Sequence, residues 1–150
     1  MSLTLRQRAL GLLARREHSR AELARKLAAH AESEEELVAL LDDLAARRQL
    51  SDARYAAERV AFRSRRYGNA RLAQELRQAG VASDTAEAAL AETASELERA
   101  RQVWQKKFDQ LPVDLPERAR QTRFLAGRGF SSATIRQVLK GGADEDEGAF

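Results

Sequence analysis

Apolar residues along this chain recur three and four apart, the spacing that lines one face of a helix. Leu5, Ala9, Leu12 and Leu13 form a first stripe, Leu23 and Leu27 a second, and Leu37, Leu40, Leu41 and Leu44 a third. Ser19-Arg20-Ala21-Glu22 precedes the second and Ser33-Glu34-Glu35-Glu36 the third. Each reads as a capping box, in which the serine hydroxyl and a glutamate carboxylate take up amides left orphaned at a helix start. Acidic first-turn residues also suit the positive end of the helix dipole. Strand-like alternation is missing, and Ala, Leu, Arg, Glu and Gln, all helix formers, dominate. Three short helices are expected in the first 50 residues.

The pattern then restarts. Ser51 or Asp52 opens a helix with Tyr55, Val60 or the Arg59 stem, and Phe62 facing inward. Asn69 is the expected cap of the next helix. Gly80 is its stop, because glycine takes the left-handed conformation without steric cost. Ser83 or Asp84 begins a helix that runs to about Thr93. A third round starts near Ser95, with Ala100, Val103, Trp104, Phe108 and Leu111 on one face, and Trp104 and Phe108 are expected in the core. Pro116 suits a first helical turn. Gly129 repeats the stop, and SSATIRQVLK forms a last helix.

These rounds share a register. Leu27, Leu76 and Leu125 are spaced by 49 residues, as are Leu41, Leu90 and Leu139, Leu37, Ala86 and Ile135, and Leu13, Phe62 and Leu111. Ala31 stands where the later copies have glycine. A constant period of this size marks tandem repeats. One three-helix unit is too small to bury its apolar face alone, and stacking completes the core and gives an elongated, curved body. The expected fold is all-α, with three-helix repeats over residues 1–50, 51–94 and 95–140 and a disordered acidic tail over 141–150.

Composition narrows the function. The absence of cysteine excludes disulfides and thiolate chemistry. No apolar run approaches the ~18 residues of a membrane span, and the start lacks the apolar stretch of a secretory signal, so a cytoplasmic protein is expected. The net charge of +3 conceals an asymmetry, because four acids, Asp144 to Glu147, sit together near the end. Over residues 1–143, 26 basic residues face 19 acidic ones, a net charge of +7. Such a body suits a polyanionic partner or a protein that handles one. The tail is expected to solubilise, or to screen the basic face.

Catalytic constellations are not apparent. His18 and His30 lie near helix ends and are expected at the surface or in caps. Glu34–Glu36 and Asp42–Asp43 read as helix-start and solvated charges. No GxSxG, GxxxxGK[ST] or GxGxxG occurs. The chain is expected not to be an enzyme, with no cofactor, metal or small-molecule substrate.

Basic residues carry more information. Arg59, Arg63 and Arg66 fall at i, i+4 and i+7 and are expected on one helix face, with Arg65, Tyr67, Arg71 and Arg77 nearby. Lys106, Lys107, Arg118, Arg120, Arg123 and Arg128 follow in the third round. Guanidinium forks suit phosphates and carboxylates, and Tyr67 suits stacking on a ring. LAQELRQAGVASDTAEAAL lays out two helices around a glycine, as DNA-reading motifs do. Its second helix, DTAEAALAET, offers base edges no Arg, Asn or Gln, which argues against sequence readout.

Taken in order, LARREHSRAELARKL, LSDARYA, YGNARLAQELRQAGV and RFLAGRGFSSATIRQVL resemble the signature segments of the bacterial RecX regulatory proteins, over about Leu5 to Leu139. Ser19, Glu22, Leu23 and Leu27 match the first segment, Asp52, Arg54 and Tyr55 the second, Gly68, Leu76 and Gly80 the third, and Gly129 and Phe130 the last; Leu125 holds the 49-residue register. The resemblance implies tandem three-helix repeats. It also implies binding to the RecA filament, usually with inhibition of filament growth, ATP hydrolysis and strand exchange. A nonspecific DNA- or RNA-binding repeat without a RecA target is the alternative.

Overall fold

The computed structural model describes residues 2–141; the expected acidic tail lies otherwise outside the described residues. Within them the chain forms nine α-helices and no strand. They are α1 (Leu5–Arg15), α2 (Arg20–Leu27), α3 (Glu34–Ala46), α4 (Asp52–Arg63), α5 (Asn69–Gln78), α6 (Ser83–Ala91), α7 (Glu96–Lys107), α8 (Leu115–Gly127) and α9 (Ser132–Lys140). None is long and apolar enough to cross a membrane.

Two compact units are built from this chain, one from Met1–Arg59 with Glu75–Ala89, the other from Val60–Gln74 with Leu90–Phe150. The chain passes between them inside α4, α5 and α6, so the middle round contributes to both. In the first unit Ala9, Leu23, Leu27, Leu37, Leu40, Leu41, Leu44 and Leu50 pack together. In the second, Ala100, Val103, Leu125, Phe130, Ile135, Val138 and Leu139 do so, with Trp104 and Phe124 at the edge. Phe108 is buried as expected, whereas Trp104 is half-buried and donates its indole N–H to Gln121 at 2.8 Å.

The 49-residue register holds for second and third helices, except that Leu90 is half-buried where Leu41 and Leu139 are buried. Leu27, Leu76 and Leu125 are at most 1% exposed, and Leu37, Ala86 and Ile135 are buried. It fails for first helices: Phe62 is 83% exposed and Leu111 39%. The cause is loop length. The first-to-second connection spans residues 16–19, then 64–68, then 108–114, and each longer loop shifts the helix before it. Asp52 and Glu96, both first in their helices, are therefore the matching pair, 44 residues apart.

Helix ends follow local chemistry. Ser19, Ser33, Ser95, Asp114 and Ser131 cap their helices, and Pro116 sits in the first turn of α8. The expected capping boxes are half-formed, because Glu22 turns to Arg16 and Glu36 to the Glu32 amide. The complete box is Thr4 with Gln7, which the sequence reading missed. Asn69 is already helical, and its side chain accepts from Arg99 instead of capping. α5 and α8 stop alike: Gly80 donates to the Arg77 carbonyl and Val81 to Leu76, as Gly129 does to Ala126 and Phe130 to Leu125. These are Schellman stops with glycine at φ 82° and 91°. α2 ends in a 3₁₀ turn, Ala28–His30, after which Ala31 is extended and needs no glycine.

Candidate functional site

A hydrogen-bonded junction recurs in each unit and positions the side chains of interest. In the first unit the Ser19 hydroxyl donates to the Ala79 carbonyl at 2.6 Å, and Asp52 accepts the Arg20 amide at 2.7 Å. In the second, 49 residues on, the Gly68 amide donates to the Arg128 carbonyl at 2.8 Å, and Glu96 accepts the Asn69 amide at 3.2 Å. The backbones touch where glycine allows it. A Cβ on Gly68 would overlap the Gly129 carbonyl, and one on Gly129 would lie 2.5 Å from the Arg71 Cβ.

This second junction gathers cations about one ring. Tyr67 sits in the turn after α4, half-buried, with the guanidiniums of Arg71, Arg63 and Arg128 at 4.1, 4.6 and 5.5 Å from its ring centre. Arg128 arrives there because its own carbonyl is held by Gly68. It also lies 5.1 Å from Phe124, which Lys107 approaches at 5.5 Å. Rings and cations alternate along this surface. The ring quadrupole draws each guanidinium in, but three like charges in one place repel, and an incoming anion relieves that repulsion.

Arg99 holds the turn from beneath. It is 4% exposed and donates to the carbonyls of Ser64, Tyr67 and Ala94 and to the Asn69 side chain, with the Tyr67 and Asn69 bonds at 2.7 Å. Burial pushes its pKa below the usual guanidinium range, partly offset by Glu96. Sequence reading missed it. Aligning Glu96 with Asp52 would have found it, because Arg99 then falls on the core position of Tyr55.

The remaining basic residues are dispersed. Arg66 lies in the turn beyond α4, so the expected face of Arg59, Arg63 and Arg66 does not form as one helical row. Arg59 belongs to the first unit, 3.5 Å from Glu75, and its Nε is buried without a hydrogen-bond partner. Arg77 is exposed, also in the first unit, while Arg65, Lys106 and Arg123 are exposed in the second. Arg120 is engaged twice by Glu117, at 2.7 and 3.0 Å, and stacks on Phe108; the pairing holds the Glu117 carboxyl at about 2.

His18 lies beside the Ser19 cap of α2, as expected, but is buried rather than at the surface, at 1% exposure. Its Nδ1 lies 3.1 Å from the Arg16 carbonyl and its Nε2 3.0 Å from the Lys26 ammonium. A neutral ring with the proton on Nδ1 satisfies both partners, and burial lowers its pKa. No group of three His, Asp or Glu side chains is placed to hold a metal ion among the described residues.

Family models describing the first, second and third three-helix domains of RecX match residues 6–44, 51–90 and 94–139. The chain is 52% identical over 143 residues to the regulatory protein RecX of Chromobacterium violaceum, covering 95% of this chain and 93% of that one. It is 55% identical over 139 residues to the protein of that name from Leptothrix cholodnii, covering 92% and 88%. In fold it is similar to the crystal structure of RecX from Lactobacillus salivarius, with a TM-score of 0.81, 20% identity and coverage of 91% and 92%. With all three domains matched in order, the chain belongs to the RecX family of regulatory proteins.

Proposed function

We propose that this chain binds the RecA nucleoprotein filament in the cytoplasm and restrains its growth, ATP hydrolysis and strand exchange. The observation that carries this reading is the ordered match of three RecX domains across the chain, with relatives named as regulatory proteins at about half identity. The protein acts by binding rather than catalysis and uses no cofactor; the ATP consumed is RecA's. Repeated modules suit this work, because several weak contacts on one scaffold act together by effective concentration. An inhibitor must also bind one state of its target better than another. The Tyr67 cluster is the contact we assign to the DNA or to acidic filament surface, since Arg71 and Arg128 have no carboxylate partner among the described residues.

The same cluster favours a second reading, a nonspecific nucleic-acid-binding repeat, because stacked rings and guanidiniums suit any single strand. RecA-dependent ATP hydrolysis on single-stranded DNA separates the two. Substoichiometric protein is expected to depress hydrolysis, and the Arg71→Glu, Arg128→Glu double variant to lose most of that effect. Equal affinity for bare DNA and for filament across a salt titration would favour the second reading instead.

A further inference from the structure

Glycine inside a helix lowers its stability relative to alanine, and the missing Cβ lets another chain segment or a ligand come close to the backbone. Gly11 lies in the interior of α1, yet among the described residues a Cβ there would meet no atom within 4 Å beyond its chain neighbours and the helix's own backbone. It lies instead on a groove of about 480 Å³ in the first unit. Leu3, 57% exposed, and the half-buried Leu12 give that groove an apolar lining, and Arg8, Arg15 and Lys26 give it a basic rim. No carboxylate lines it. Lys26 is shared with His18 and lies 3.9 Å from Glu22, whereas Arg8 and Arg15 form no ion pair among the described residues.

Position along α1 adds shape to this charge. Arg8, Gly11, Leu12 and Arg15 stand at i, i+3, i+4 and i+7, one face of a helix. The two arginines are about 10 Å apart along the axis. A second helix repeats that distance between side chains seven residues apart, and a missing Cβ midway lets its backbone come close. Nucleic acid matches the rim but offers no aliphatic side chain to cover Leu3 and Leu12.

We propose that the α1 groove docks an acidic amphipathic helix of a protein partner, with carboxylates seven residues apart on Arg8 and Arg15 and an apolar side chain packed at Gly11 and Leu12. This inference is independent of the Tyr67 cluster and of RecA as the partner.

The test follows amide NMR shifts of the full chain during titration with a synthetic helical peptide carrying two glutamates seven residues apart and leucines between them. Its glutamine counterpart and a thymidine oligonucleotide of equal charge are titrated alongside. The glutamate peptide is expected to move the Gly11 and Leu12 amides. Arg8→Glu with Arg15→Glu is expected to weaken it roughly tenfold or more. Gly11→Leu is expected to weaken binding too while raising the thermal midpoint, a divergence that a purely structural role for Gly11 does not produce. The proposal is overturned if the glutamate peptide leaves Gly11 unmoved or if its glutamine counterpart binds equally well. It also fails if Gly11→Leu binds like the wild type, or if the oligonucleotide takes the same amides more tightly.

Discussion

Arg99 carries more of the second unit's order than any of the arginines that stand out in the sequence. Its charge is buried and spread over three carbonyls and an amide oxygen that close the turn around Tyr67. Removing it leaves those acceptors without partners, and each unsatisfied buried group costs about 1–3 kcal/mol. Arg99→Met is expected to lower the unfolding free energy by about 3 kcal/mol in urea titrations. Arg99→Lys is expected to recover little, because a point-like ammonium does not reproduce the fork. The Arg120–Glu117 pair differs: both partners are substantially exposed, at 56% and 31% of the side chain, and such pairs contribute little. Sequence charge counts weigh these two arginines alike. Burial separates them, and burial depends on which first helices align, information that the loop lengths hide.

At the scale of elements, helix stops were the most legible feature, because a glycine at the left-handed position is a local requirement that does not depend on the rest of the fold. Gly80 and Gly129 both met it. Partners of caps were less legible: Glu22 was free to choose between a backbone amide and Arg16, and only the fold brings Arg16 within 2.6 Å. The third helix contains the instructive exception. α3 ends in the same hydrogen-bond pattern, Arg48 to Ala45 and Gln49 to Leu44, but the residue at φ 61° is Arg48. A side chain there costs about 1 kcal/mol that glycine avoids. Arg48→Gly is expected to raise stability by about 0.5–1 kcal/mol. Gly129→Ala, strained in φ and crowded against Arg71, is expected to lose more than that gain. Thermal melts of the two variants beside the parent decide the matter by the sign of each shift.

Over the whole molecule the periodicity was readable and the boundaries of compaction were not. Three rounds of three helices followed from the apolar stripes, whereas the division inside α4, α5 and α6 arises from contacts that no local pattern encodes. A fragment of residues 1–50 would lack both the Ala79 carbonyl that takes the Ser19 hydroxyl and the Asp52 carboxylate that takes the Arg20 amide. Such a fragment is expected to retain helix but melt broadly, while the full chain melts cooperatively, as followed by circular dichroism. The Gly68 amide and the Ala79 and Arg128 carbonyls have a wider consequence. A carbonyl oxygen is offered equally well by almost any amino acid, so the seam tolerates change at Ala79 and Arg128, though not at Gly68, where a Cβ would overlap the Gly129 carbonyl. Copies of the module are thereby released to drift apart in surface character, one acquiring a cationic ring cluster and another a leucine-lined trough, without coming unstitched.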